Sequence, residues 1–517
     1  MRILILFFCL NSLLSEALGQ LVEETHLYID IPKRTEITFD VLPFEQEGLM
    51  IFGTFDKLDG SYDQEDLYYF TKYDLALEEL WRKEYALDNQ WVFQQYFRDQ
   101  TDLYNLFYNY SEKAVGILQT NIKKGEMTWR QSSYPADIEI SDFKVFGKNA
   151  FIFGKVRGSS SILDFSFFDD QIKVVPALYD TKRSIKDIHI DFQNYTAYFL
   201  IKNRDKGQCQ YIFKSFLSNG KLLKEGSIQV LDNKNLIDPR YTILNNKRAL
   251  VVGTFGNNCN SFAEGLAIAS IDEKKEKHRL QYTPFYTFDN YFAYLKPKQQ
   301  ERMEEKMRKR LKQKKGWIVN QRFLLQPPIV TDWGMIVLAE GYTPEYSGYN
   351  NSLVRVNINT RVRREAASGL LGYRFRNVIV AAFNQQGKLI WDNAAALNSE
   401  LITSIDFQAV PKLHNNRLTL LQAFSDGYGL KVMEQDSCIY ETEEAPYLKE
   451  FKNYEDEEVL DEQKVRLENY GAEDWYGEYF LLWGIRFKNP KNTFSNERVF
   501  QISKVKFEPP AETVEEN

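Results

Sequence analysis

Short apolar runs closed by glycine or another small residue punctuate the chain: Leu49-Met50-Ile51-Phe52-Gly53, Phe151-Ile152-Phe153-Gly154, Leu250-Val251-Val252-Gly253 and Phe480-Leu481-Leu482-Trp483-Gly484. Gly53, Gly154 and Gly253 stand 101 and 99 residues apart. Weaker copies, Leu106-Phe107-Tyr108 and Tyr198-Phe199-Leu200-Ile201, halve those gaps, and Met335 to Ala339 and Leu418 to Leu421 bring the number of runs to eight. After a polar loop each run is followed by a second segment rich in Val, Ile, Phe and Tyr: Leu67 to Tyr73, Ala114 to Thr120, Ile162 to Phe168, Gln210 to Leu217, Gly265 to Ile271, Val378 to Phe383, Gly429 to Met433 and Val499 to Val505. The alternation and the β-branched and aromatic content predict paired strands.

Several pairs are followed by a third strand ending in Trp, at Trp81, Trp129 and Trp391. An aspartate after an apolar residue then marks what reads as a fourth strand, at Asp142, Asp191, Asp238, Asp289 and Asp406, the first four spaced by 49, 47 and 51 residues. A four-strand unit repeated at this interval predicts an all-β fold, a seven- or eight-bladed β-propeller, because one blade cannot bury both faces alone and a set of them can. The last unit is one strand short, and the unassigned strand His26 to Ile31 precedes the first. The N-terminal strand is therefore expected to complete the last blade.

Ala381-Ala382-Phe383-Asn384-Gln385-Gln386-Gly387-Lys388-Leu389-Ile390-Trp391 resembles the quinoprotein-type propeller repeat, Ala-x-Asp-x-x-Thr-Gly-Lys-x-x-Trp, with Asn384 in place of Asp and Gln386 in place of Thr. The copies ending at Trp81 and Trp129 keep Asp74 and Gly125. The resemblance implies either a quinone-dependent dehydrogenase or a non-catalytic envelope scaffold that assists outer-membrane protein assembly. The lost Asp and Thr, with no calcium or quinone constellation, favour the scaffold, for which no cofactor is expected.

The first residues change the picture of where this fold works. Arg2 precedes an apolar run from Ile3 to Leu14, and Ala17-Leu18-Gly19 offers small residues before Gln20, the pattern of a secretory signal over residues 1–19. The rest, residues 20–517, is expected to be a single propeller domain, secreted or periplasmic. No stretch approaches the ~20 apolar residues of a membrane helix. The formal charge of −7 argues against a general nucleic-acid binder.

Charge is unevenly placed. Residues 296–315 hold ten Lys/Arg and three Glu, with Met303, Met307 and Leu311 at helical spacing, which predicts a basic insertion helix carrying Lys306 and Arg310. A second basic insertion, residues 341–376, interleaves Arg355, Arg361, Arg363, Arg364 and Arg374 with Tyr342, Tyr346, Tyr349 and Tyr373. Both are expected on one face, forming a patch suited to phosphate or carboxylate groups. The bland alternative is a solvated insertion helix braced by its methionines. Residues 434–474, with fifteen Asp/Glu and four Lys/Arg, predict an acidic solvated insertion.

Catalytic chemistry is less marked. Asp142, Asp191, Asp238, Asp289 and Asp406, if they open the innermost strands, could ring a channel mouth and supply an acid and a base to a glycoside; the competing reading is that they accept turn amides. No zinc pattern, Gly-x-Ser-x-Gly elbow or phosphate-binding loop occurs, and Asp56 to Asp63 lacks the ligand spacing of a calcium loop. No metal is expected. Asn109, Asn194 and Asn350 begin glycosylation sequons. Cys209 and Cys259 fall in equivalent loops of adjacent units and are expected to pair, leaving Cys438 free. The functional expectation is a non-catalytic binding or scaffold protein of the cell envelope whose partner is an envelope protein, anionic glycan or lipid headgroup. The alternatives are a carbohydrate-active hydrolase or lyase and a structural surface protein.

Overall fold

The computed structural model describes residues 20–508 apart from 34, 58–64, 135, 176–182, 193, 206–207, 219–220, 230–233, 246, 258–261, 273–274, 347–368, 399, 448–465 and 488–496. Among the described residues the strands form eight antiparallel meanders, at residues 35–88, 91–133, 138–174, 183–229, 235–284, 322–396, 410–446 and 468–508, each four-stranded except that the sixth adds the short strand Ile329–Thr331, and the last completed by Gln20–Ile31. The fourth and fifth are joined by a short parallel pairing of Ser227 to Gln229 with Lys277 to Arg279. This is an all-β propeller fold. The N-terminal strand lies antiparallel to Arg498–Glu508, from Gln20 opposite Glu508 to Ile31 opposite Arg498, and supplies the missing fourth strand of the last meander as expected.

The chain divides into two compact units, one from residues up to 86 together with those from 409, the other from residues 87–408. In each, the core lies in layers between successive meanders. In the central unit, Leu106, Ile117 and Tyr108 pack against Phe143, Ile152 and Leu163, and Phe151 and Phe153 against Phe199 and Phe216. In the unit holding both chain ends, Leu421, Leu430 and Val432 pack against Phe480, Leu482 and Val505. Strands covered on both faces should be apolar almost throughout rather than alternating. Asp102–Asn109 and Asn149–Val156 are nearly continuously buried, whereas the fourth strand Glu79–Asp88 is mostly exposed.

The glycine that closes the apolar runs has a steric cause. A Cβ on Gly53 would lie 1.9 Å from the carbonyl oxygen of Thr38, and one on Gly154 2.3 Å from that of Glu139. The first strand crosses the second too closely there for any side chain.

The strand order corrects one expectation. The segments bearing Asp142 and Asp238 are not fourth strands; they lie in Ile138–Phe146 and Asn235–Ile243, the first strands of the following meanders, and Asp191 ends the first strand Arg183–Asp191. Asp289 and Asp406 lie outside strands. A repeat of fixed period looks the same whichever strand is counted first, so spacing alone carried no phase.

Candidate functional site

Each of the five sequence-selected aspartates has a local hydrogen-bond partner. Asp142 accepts Lys144 Nζ at 3.0 Å, Asp191 accepts the Asn194 amide at 3.0 Å, and Asp238 Oδ2 accepts the Leu325 amide at 3.2 Å. The backbone amide of Asp289 donates to Asp392 Oδ1 at 2.9 Å, and the carbonyl of Asp406 accepts Gln408 Nε2 at 2.9 Å. Of these carboxylates Asp191 accepts a turn amide, and the hydrolase or lyase alternative is not favoured.

The ladders show which polar positions are equivalent. The first strands of four meanders shift register at a bulge: between Phe93 and Gln95, Ile140 and Asp142, Ile185 and Asp187, and Ile237 and Arg240. Bulges re-aim the side chains that follow them. The position after the bulge is thus Gln95, Asp142, Asp187 and Arg240, and the last two meet. Arg240 Nη1 lies 3.3 Å from Asp187 Oδ1, the Tyr241 amide donates to Asp187 Oδ2 at 2.6 Å, and Arg240 Nε donates to the Leu325 carbonyl at 2.9 Å. Three consecutive meanders are stapled by one carboxylate and one guanidinium. Burial pushes the Asp187 carboxyl up against the opposing pull of the Tyr241 amide and Arg240, and burial holds the His189 imidazole below its ordinary value. His189 packs near Tyr241, which stacks on Tyr198 with ring centroids 4.7 Å apart. With both oxygens engaged, Asp187 is a strut. The sequence pointed to Asp191, four residues on, because the bulge is invisible before pairing is known.

The basic insertion is a helix, Pro297–Lys312, with proline at its start and Lys309, Arg310 and Lys312 in its last turn, both favourable placements. Met307 is buried, and Met303 and Leu311 pack beside it on the core that also holds Trp317, Phe323, Leu250 and Val337. The ten Lys/Arg of residues 296–315, seven of them on the helix and Lys306 and Arg310 included, are all exposed. Among the described residues only Arg308 and Lys309 are ion-paired, with Glu304 at 2.9 Å and Glu305 at 2.7 Å.

The second basic insertion begins as a long hairpin, Gly334–Tyr346 with Leu370–Asn384. Arg355, Arg361, Arg363 and Arg364 lie outside the described residues, as do Tyr349 and Asn350. The hairpin brings Tyr342 and Tyr373 together, ring centroids 5.9 Å apart, with Phe375 stacked on Tyr342 at 5.3 Å; Tyr346 is exposed. Beside them Arg374 Nε donates to Glu345 Oε1 at 2.6 Å, which holds the Glu345 carboxyl below its usual range. Arg322, opposite Tyr342 in the ladder, hydrogen-bonds it. This arginine was not singled out in the sequence because its role depends on that pairing. The connection carrying the helix enters the meander at Arg322, so helix and hairpin loop leave the same end of it.

Cys209 is disulfide-bonded, Cys438 is free, and Cys259 lies outside the described residues. Asn109 is buried with its Oδ1 accepting the Ser111 and Glu112 amides at 3.1 and 3.0 Å, so that sequon is occupied by a turn. Residues 58–64 of the carboxylate-rich loop lie outside the described residues. Among those described, no group of three or more His, Cys, Asp or Glu is placed to hold a metal, and no helix is long and apolar enough to cross a membrane.

No protein-family model and no curated protein sequence matches the chain. Among solved structures it is similar to the polysaccharide lyase Uly1, with 8% identity and a TM-score of 0.39 over 80% of this chain and 89% of that one. It is also similar to the β-propeller domain of the Trilobed protease from Pyrococcus furiosus, with 8% identity and a TM-score of 0.35 over 82% of this chain and 98% of that one. A prolyl endopeptidase aligns with 8% identity and a TM-score of 0.35 over 81% of this chain and 50% of its own. The propeller assignment rests on the meander topology itself.

Proposed function

We propose that this chain is a secreted or periplasmic binding propeller without catalytic function, which holds an anionic envelope partner on the face carrying its two basic insertions. The observation that carries this reading is the helix Pro297–Lys312. Its apolar stripe is docked on the core, and its exposed cations, five of seven without an ion pair among the described residues, are presented on a rigid support. The partner class is an envelope protein, an anionic glycan or a lipid headgroup, recognised by charge and by the tyrosines of the adjoining hairpin. The apolar run of residues 3–14 supports export, and the resemblance of residues 381–391 to a quinoprotein-type repeat, with Asn384 and Gln386 at its Asp and Thr positions, fits a scaffold better than a dehydrogenase.

The test is retention of the purified protein on its own envelope fraction. Lys306→Glu with Arg310→Glu is expected to abolish retention at low salt while leaving the melting temperature unchanged. Undiminished retention of the charge-reversed variant refutes the reading.

A further inference from the structure

In the sixth meander the ladder between Gly334–Tyr346 and Leu370–Asn384, followed from its Gly334 end, shifts register beside Gly341: Gly341 faces Asn377, and Tyr342 already faces Phe375. Arg376 is the extra residue of that bulge, beyond which the hairpin carries Tyr342 and Tyr373. Two carboxamides stand over the glycine. A Cβ on Gly341 would lie 2.7 Å from Asn377 Oδ1 and 2.9 Å from Gln321 Oε1, and these two residues are 0% and 8% exposed. We propose that a buried water molecule is bound here, bridging Gln321 and Asn377 and pinning the bulge at the base of the hairpin.

Asn377 Oδ1 and Nδ2, Gln321 Oε1 and Thr343 Oγ1 are buried and have no hydrogen-bond partner among the described residues. Native interiors seldom leave such atoms unpaired, and an internal water with several polar partners is the usual remedy. The two atoms over the glycine are both acceptors, so a donor must come between them, and two oxygens lying so near one point are within reach of a single water. The glycine supplies the room. Its φ is not in the left-handed region, so its conformation does not demand glycine; what excludes a side chain is the space shared with the two carboxamides. The donor set decides the class of ligand. Glu340, the neighbouring carboxylate on the strand, is engaged elsewhere, accepting Gln326 Nε2 at 2.6 Å and the Gln408 amide at 2.8 Å. Neutral amide oxygens without a carboxylate do not suit a divalent cation, and Asn377 Nδ2 beside them opposes any cation. Water both donates and accepts. The polar atoms come from three neighbouring stretches: Gln321 just before the strand Arg322–Leu325, Thr343 two residues past Gly341 on the same face, and Asn377 across the ladder. One hydration site thus ties three strands where the hairpin leaves the meander.

The experiment is a crystal structure of the full-length protein at a resolution that shows ordered water, with one crystal soaked in a thallium(I) salt, together with melting curves of variants. A single peak within hydrogen-bonding distance of both Gln321 and Asn377, without anomalous signal after the soak, is expected. Gln321→Leu and Asn377→Leu are each expected to lower the melting temperature, because each leaves the other carboxamide buried without its bridge, and the double variant to lower it by less than the two losses together. Gly341→Ala, whose Cβ takes the space, is expected to lower it as well. Two carboxamides hydrogen-bonded directly to each other, one turned about its amide plane and no water between them, overturn the proposal. So does a thallium peak at the site, which would make it a cation site, and so do strictly additive losses in the two leucine variants. The structure of the unaltered chain decides the matter if a variant fails to fold.

Discussion

Lys412, Lys431 and Lys504, in the unit that gathers both chain ends, are 7%, 5% and 8% exposed, and each meets a carboxylate: Asp474, Glu441 at 3.1 Å, and Glu24. The cations of the helix Pro297–Lys312 are exposed, and two of seven meet one. The same residue types therefore perform opposite tasks. A buried ammonium must be compensated where it stands, so it becomes a fastening between strands. Lys504 is the fullest case. Beyond Glu24 on the N-terminal strand, it faces the rings of Tyr479, Tyr476 and Trp475 at 4.0, 5.1 and 5.9 Å. An exposed ammonium on a docked helix is hydrated, costs little, and remains available to a partner.

The comparison can be broken first at the strand the fastening holds. Deleting Gln20–Ile31 removes the whole pairing with Arg498–Glu508 and the buried Leu21 and Ile31, and leaves a sheet edge open. Loss of cooperative melting by circular dichroism is expected; a melting temperature equal to that of the intact chain refutes the closing role of this strand. Next in size is Asp187→Ala, which leaves the Arg240 guanidinium largely buried without its carboxylate and should cost about 3 kcal/mol in urea unfolding. Asp187→Asn retains an acceptor for the Tyr241 amide and should cost less. Lys504→Met removes the cation from its aromatic surround and should cost about 2 kcal/mol.

A smaller effect sharpens the same fastening through pH. Hydrogen bonds from Lys504 and then Tyr479 hold the Glu24 carboxyl below its usual value. A lowered folded pKa means that the unfolded chain takes up the proton first. The stabilisation is complete above the ordinary glutamate pKa and is lost as pH falls through the lowered one. Glu24→Gln should flatten that part of the acid stability profile, and an unaltered slope would show that the pair contributes nothing. Smallest of all, Lys306→Glu with Arg310→Glu should change unfolding free energy by less than about 0.5 kcal/mol, since surface charges away from packing rarely do more. A large loss there would mean that the helix cations are also fastenings.

Much of the fold was legible because it is written locally. An apolar run and a following β-rich segment mark the second and third strands of every meander, and where the run closes with glycine, as at Gly53 and Gly154, the glycine is required by a carbonyl less than 2.5 Å from its would-be Cβ. The stripe Met303, Met307 and Leu311 identified the insertion helix and the side on which it docks. The missing strand at the end of the repeat predicted the pairing of Gln20–Ile31.

What the sequence by itself determined, then, is which segments become strands, how they repeat and where the insertions fall, since hydrophobic periodicity and chain connectivity are properties of neighbours. Only the tertiary structure decided the strand on which each repeat begins and the bulges that turn Asp187 and Arg240 toward one another. The physical reason is distance along the chain. Asp187 and Arg240 are separated by 53 residues, and Arg240 and Leu325 by 85. A contact of that span depends on ladder register, and a register shift of one residue turns a side chain to the opposite face.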